Sequence, residues 1–166
     1  EAIQRLAWEG LISVRPRTGL AIAPLDRSDW VKIVDARRGV EVVLARSAAR
    51  WLLPDSTAAL ENAARAMHAA VLAGDVAGFL EADKSLDEAM AEAADNRFAS
   101  RLAAPLQSHS RRFWFRFRGQ DGVAESAGHH VALIQAILAR DEEAAGAEAD
   151  RLMMLLRRYA EEVALP

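Results

Sequence analysis

Apolar residues recur along this chain at more than one spacing. Ile3, Leu6 and Ala7 fall at i, i+3 and i+4, one face of a helix, and Gly10 is placed to end it. Leu11-Ile-Ser-Val14 and Leu20-Ala-Ile-Ala23 then flank a basic turn, Arg15-Pro-Arg-Thr-Gly19. Gly19 can take positive φ without strain, so this stretch predicts a short hairpin. Pro24-Leu-Asp-Arg-Ser28 reads as a linker, with Ser28 or Asp29 as the cap of a helix that starts near Trp30. From there the helical period repeats between short breaks. One helix runs from Trp30 to Leu53, with Gly39 as the place for a bend. Pro54-Asp-Ser-Thr57 stops it and caps a second, which reaches about Ala73. Gly74-Asp75 precedes a third helix, Val76 to Ala94, and Asp95-Asn96 precedes a fourth, Arg97 to Arg118. After the loop Gly119-Gln-Asp-Gly122 come helices from Ala124 to Ala139 and from the Asp141 cap to near Val163. No strand pattern occurs beyond residue 24. The prediction is an all-α antiparallel bundle of about six helices with short connections, preceded by a helix end and a hairpin.

Composition sharpens this picture in three ways. The chain has 36 alanines and is 52% hydrophobic, which favours helix and supplies a core. It has no cysteine, which excludes disulfides and thiolate metal sites. Its net charge of −3 gives no general pull toward nucleic acid, so any DNA affinity must come from a local basic patch. No apolar run of about 18 residues predicts a membrane span.

The order of helix end, glycine stop and basic-tipped hairpin, followed by helices only, resembles the GntR family of bacterial regulators in its branch with the FCD ligand-binding domain. Glu1-Ala-Ile-Gln-Arg-Leu-Ala-Trp-Glu-Gly-Leu-Ile12 is similar to the end of that family's recognition helix, and Arg15-Pro-Arg-Thr-Gly19 with Ala21-Ile-Ala23 to its wing. Arg37-Arg-Gly-Val-Glu41 resembles the opening motif of the FCD domain. Asp83-Lys-Ser-Leu-Asp87 with Asn96, and His130 with Ala136-Ile137 and Asp141, resemble its later motifs. The resemblance spans the whole chain. It implies that residues 1–25 are the C-terminal remnant of a winged helix-turn-helix, and that 26–166 are an FCD-like effector-binding and dimerisation domain. It also implies a trimmed form, in which the first two helices of the DNA-binding domain are missing.

The function so implied is a cytoplasmic, homodimeric, ligand-responsive transcriptional regulator, not an enzyme and not a membrane protein. A small carboxylate effector would bind the helical domain and control operator DNA binding by the intact protein. Gln4, Arg15, Arg17 and Thr18 are the DNA-contact candidates, since arginines on a hairpin tip suit phosphates or a narrow minor groove. Two other readings stand beside this one. The first is a structural dimerisation module with a vestigial pocket. The second is a metal-dependent bundle enzyme, disfavoured because no Glu-x-x-His repeat and no nucleophile–base pairing occurs.

The FCD family's pocket commonly holds a divalent metal on one aspartate and three histidines. The resemblance carries those positions onto Asp83, Asp87, His130 and Leu152, so one ligand is exchanged for a carboxylate and one is lost. Asp83, Asp87 and His130 are therefore the metal candidates, for Mn, Fe, Mg, Zn or Ni, and Leu152 argues for no metal at all. Asp83 and Asp87 share a helix face at i, i+4. Effector-binding candidates are Arg37, Asn96, His109, Arg112 and His130. A guanidinium at Arg37 or Arg112 suits an anionic ligand. Phe98, Leu102, Leu106, His109, Phe113 and Phe117 form a stripe expected to face the core, whereas Arg111 and Arg118 are expected to face solvent.

Overall fold

A computed structural model describes residues 1–15 and 19–165. Helix α1, Ala2–Trp8, leads into an antiparallel hairpin of β1, Ile12–Arg15, and β2, Gly19–Ile22, in the register Ile12 opposite Ile22 and Val14 opposite Leu20. Six helices follow: α2 Arg27–Trp51, α3 Pro54–Ala73, α4 Val76–Ala94, α5 Arg97–Phe117, α6 Val123–Leu138 and α7 Glu142–Ala164. This is the bundle with a preceding hairpin that the periodicity predicts.

The helix starts have local causes. Asp75, Asn96 and Asp141 each accept a hydrogen bond from the backbone N–H three residues on, satisfying a donor that a helix start leaves free. Pro54 occupies the first turn of α3, where a missing N–H costs nothing. The cap of α2 is Asp26, not Ser28 or Asp29. Its extended backbone lets the carboxylate accept from Ser28 N, and α2 then runs unbroken through Gly39. At Gly122, φ is +81° and a Cβ would lie 2.7 Å from the Tyr159 ring, so the turn into α6 requires glycine.

Helix α2 is the central element, packing against α7, α5 and α4; α3 lies along α4, and α6 along α7. Buried alanines on α2 (Ala45, Ala48, Ala49) and on α7 (Ala145, Ala149, Ala160) let backbones approach closely. Larger side chains, among them Trp30, Leu44, Leu60, Met67, Phe79, Phe113, Ile134 and Tyr159, fill the space between helices. The stripe expected on α5 is only partly internal. Phe113 is buried, but Phe98 and Leu102 are 67% and 62% exposed. The face that α5 turns inward consists of Ala99, Ala103, Gln107, Ser110, Phe113 and Trp114. It carries polar atoms into the bundle, and they converge on one place.

Candidate functional site

That place is a buried cluster of charges at the meeting of four helices. Helix α4 supplies Asp83 and Asp87, one turn apart. Helix α6 supplies His130, α5 supplies Gln107 and Arg111, and α2 supplies Arg37 and Glu41. Nη1 of Arg111 donates to Asp83 Oδ2 at 3.0 Å and to Asp87 Oδ2 at 2.5 Å. Nε2 of His130 donates to Asp83 Oδ1 at 2.9 Å, and its Nδ1 to the Ser126 carbonyl at 2.7 Å. Arg37 donates from Nε and Nη2 to Glu41 Oε1, which also accepts from Gln107 Nε2 at 3.1 Å. Phe79 closes one side, its ring edge-on to His130.

The protonation pattern follows from this geometry. His130 Nε2 lies against Asp83 Oδ1 and Nδ1 against the Ser126 carbonyl, with the Ser126 hydroxyl 3.4 Å from Nδ1, a setting that favours the protonated ring. Three basic groups, Arg37, Arg111 and His130, thus face three carboxyl groups, Glu41, Asp83 and Asp87. Burial lowers the affinity of His130 for its proton, but the hydrogen bond and charge of Asp83 outweigh that and raise its pKa overall. Burial likewise opposes ionisation of Asp83, yet His130, Arg111 and Arg37 together hold its carboxyl far below the usual range. Asp87 goes the other way: burial and the charges of Asp83 and Glu41 push it up to about 8, against the pull of Arg37 and Arg111. Asp83 is thus the fixed anion, and Asp87 is the carboxyl that protonates first.

The space around the cluster is unequal. Two interior slots, of about 20 Å³ and about 10 Å³, touch Arg37 and His130 and have room for roughly one water each. A third cavity, of about 210 Å³, enters between α4 and α5 and reaches Asp87, Gln107 and Arg111, with Lys84, Ser100 and Ser108 along its wall. Far larger is an open groove of about 920 Å³ between α1, the linker, α2 and α5, lined by Trp8, Leu25, Ile33, Leu106 and His109. It does not touch the charge cluster.

The residues singled out from the sequence divide accordingly. Arg37, Asp83, Asp87 and His130 come together. Asn96 does not: it caps α5 through Ala99 N. His109 and Arg112 also lie elsewhere, at the junction with the hairpin. His109 Nε2 donates to the Glu9 carbonyl at 2.7 Å, and Arg112 Nη2 to the Ala23 carbonyl at 2.6 Å. Gln4 is exposed on α1 and Arg15 at the end of β1; Arg17 and Thr18 lie outside the described residues.

Arg111, expected in solvent, is central, because α5 is wedged between α2 and α4 and buries more than one face. Arg118 is also mostly buried, its guanidinium 4.0 Å above the Tyr159 ring and paired with Glu162. Glu41, Gln107 and Ser126 were missed as well. Only Glu41 had a visible signal, its i, i+4 spacing from Arg37.

As arranged, these groups do not fit a divalent metal. Both Asp83 oxygens, Asp87 Oδ2 and the imidazole Nε2 are engaged by Arg111 and by one another. Leu152 is buried beside His130 and offers no donor atom. Among the described residues, no group of three His, Asp or Glu side chains is set to hold an ion.

Residues 32–154 match the model of the FCD domain. The fold is similar to that of McbR/YncC of E. coli (TM-score 0.82, 16% identity, covering 97% of this chain and 77% of that one). It is also similar to GntR of Streptococcus agalactiae (0.69, 20%, 95% and 79%) and to a GntR-family transcriptional regulator of Pseudomonas syringae (0.62, 19%, 98% and 67%). No curated protein matches by sequence. Among the described residues, no helix is long and apolar enough to cross a membrane.

Proposed function

Because this chain belongs to the FCD domain family, we propose that it senses a small organic acid and passes that signal to a DNA-reading unit whose wing end is residues 1–25. Residues 26–166 would be the sensing and dimerising domain of a cytoplasmic transcriptional regulator. One observation carries this reading: a cavity of about 210 Å³ leads from the surface to Arg111 and Asp87 of a buried charge cluster. Buried ion clusters are poor stabilisers compared with apolar packing, so their presence in an otherwise well-filled bundle favours a role in binding. Both bonds from Arg111 to its aspartates leave from Nη1. An incoming carboxylate would take the remaining guanidinium donors, with Gln107 and Lys84 beside it. The modest volume suits an acid of a few carbons rather than a drug-sized ligand. The exposed Phe98 and Leu102 of α5 offer apolar surface that a homodimer would bury.

The test is thermal melting of the protein against a panel of small mono- and dicarboxylates. A binder raises the midpoint progressively as its concentration passes the dissociation constant. The shift should disappear in a Gln107→Leu, Lys84→Met variant. A panel that leaves the midpoint unmoved throughout would favour a dimerisation module with a vestigial pocket.

A further inference from the structure

We infer that the guanidinium of Arg111 is a built-in cation, holding together Asp83 and Asp87, two of the residues that the resemblance would assign to a divalent metal, in that metal's stead. The inference deepens the sensing proposal, but its test needs no effector, so the two can fail separately.

The argument rests on three placements. First, two carboxylates one turn apart on α4 point at the same spot, and the atom found there is Nη1 of Arg111, 3.0 Å from one and 2.5 Å from the other. Two carboxyl groups this close in the interior repel when both are ionised, and a positive charge between them offsets part of that repulsion. Second, the side chain comes from α5 and is itself mostly buried (17% exposed), so it is part of the packed structure and not a surface arginine folded back by chance. Third, the position that would complete a metal's coordination is Leu152, packed in the slot beside His130 and Met153. A hydrocarbon is compatible with a guanidinium, whose coordination is planar and complete without it, and incompatible with a closed metal site. The guanidinium on α5 and the hydrocarbon on α7 are thus consistent with one another.

A guanidinium differs from a metal in what it can offer a ligand. It has no exchangeable water and no inner coordination sphere, so an effector must be held by hydrogen bonds alone. Chelating hydroxy-acids and keto-acids, which gain from two-point attachment to a metal, should hold no advantage here over plain carboxylates of the same size.

The experiment compares the wild-type protein, Arg111→Ala and Arg111→Lys by thermal melting and isothermal titration with Mn²⁺, Zn²⁺ and Ni²⁺. The wild type and Arg111→Lys should show no heat of binding attributable to Asp83, and no change of midpoint with metal or with EDTA. Arg111→Ala should melt roughly 10 °C lower, from uncompensated buried carboxylates. It should recover about half that loss on adding Mn²⁺, Zn²⁺ or low concentrations of guanidinium, and Asp83→Asn in the same background should abolish the recovery. If Arg111→Ala does not fold unaided, refolding with either cation should restore its helical circular dichroism. The inference is overturned if the wild type binds metal in a manner lost with Asp83→Asn. It is equally overturned if Arg111→Ala melts like the wild type, or if neither cation restores it.

Discussion

Helix α5 borders two interiors built on opposite principles. On one side lies an aromatic layer: Trp30 stacks on Phe113 at 5.9 Å, Trp114 meets Trp30 and Tyr159 edge-on, and the Trp30 indole donates to Ser110 Oγ. On the other lies the charge cluster of Arg37, Glu41, Asp83, Asp87, Arg111 and His130. The aromatic layer is a sum of many weak contacts, so losing one group costs a graded amount. The cluster is close to all-or-none, because removing one ion strands its partner without water. The first holds the bundle together; the second makes the bundle's state depend on which charges are present.

The sharpest test of that contrast is Arg37→Met. It leaves Glu41 buried with Gln107 as its one remaining side-chain donor, and should cost about 3–5 kcal/mol in urea unfolding. Adding Glu41→Leu should then recover much of the loss. Equal or larger cost in the double variant would show that the pair does not act as a unit. Next comes a purely apolar deletion, Leu60→Ala, at a fully buried site in α3, expected to cost about 2–4 kcal/mol. Its cost should be the same at every pH where the protein folds.

The cluster, by contrast, should respond to pH. His130 is raised above its ordinary value, and Asp87 is raised to about 8. In both cases the folded state holds a proton that the unfolded chain releases more easily. The stability from His130 is therefore complete below the ordinary histidine range and declines as pH rises through its folded value; that from Asp87 declines up to about pH 8. Melting midpoints should fall between neutral and mildly alkaline pH, and His130→Gln should flatten that fall. An unchanged slope in His130→Gln would remove the histidine from the account. Smallest of all is Asp150→Ala, which breaks the exposed pair with Arg38 and should cost under about 1 kcal/mol, less still in high salt.

The fold was legible because helix boundaries are local events. Asp75, Asn96 and Asp141 announce their helices by side-chain chemistry alone, and Pro54 and Gly74 mark ends by backbone geometry. The cap at Asp26 lies two or three residues before the predicted one, since Asp26, Ser28 and Asp29 offer equivalent signals within four positions. The site was legible only in part. Asp83, Asp87, His130 and Arg37 were reached through resemblance, and periodicity alone would have left them on unremarkable helices. Arg111 was assigned to the wrong side because an apolar stripe suggests one buried face, whereas α5 is enclosed by two neighbours. Phe98 and Leu102 show the converse error: apolar side chains on the expected face that the described residues leave mostly exposed.

Three near-consecutive residues of α5 face in different directions. Arg111 reaches inward to the aspartates, while Arg112 and His109 reach out to the carbonyls of Ala23 and Glu9, where the hairpin joins the bundle. Arg112 even keeps one terminal nitrogen, Nη1, buried without a partner among the described residues. A roll or slide of this single rod that loosens the grip on Asp83 and Asp87 must therefore tug on both docking bonds at once. The charge cluster and the hairpin's docking bonds thus hang on the same stretch of one helix.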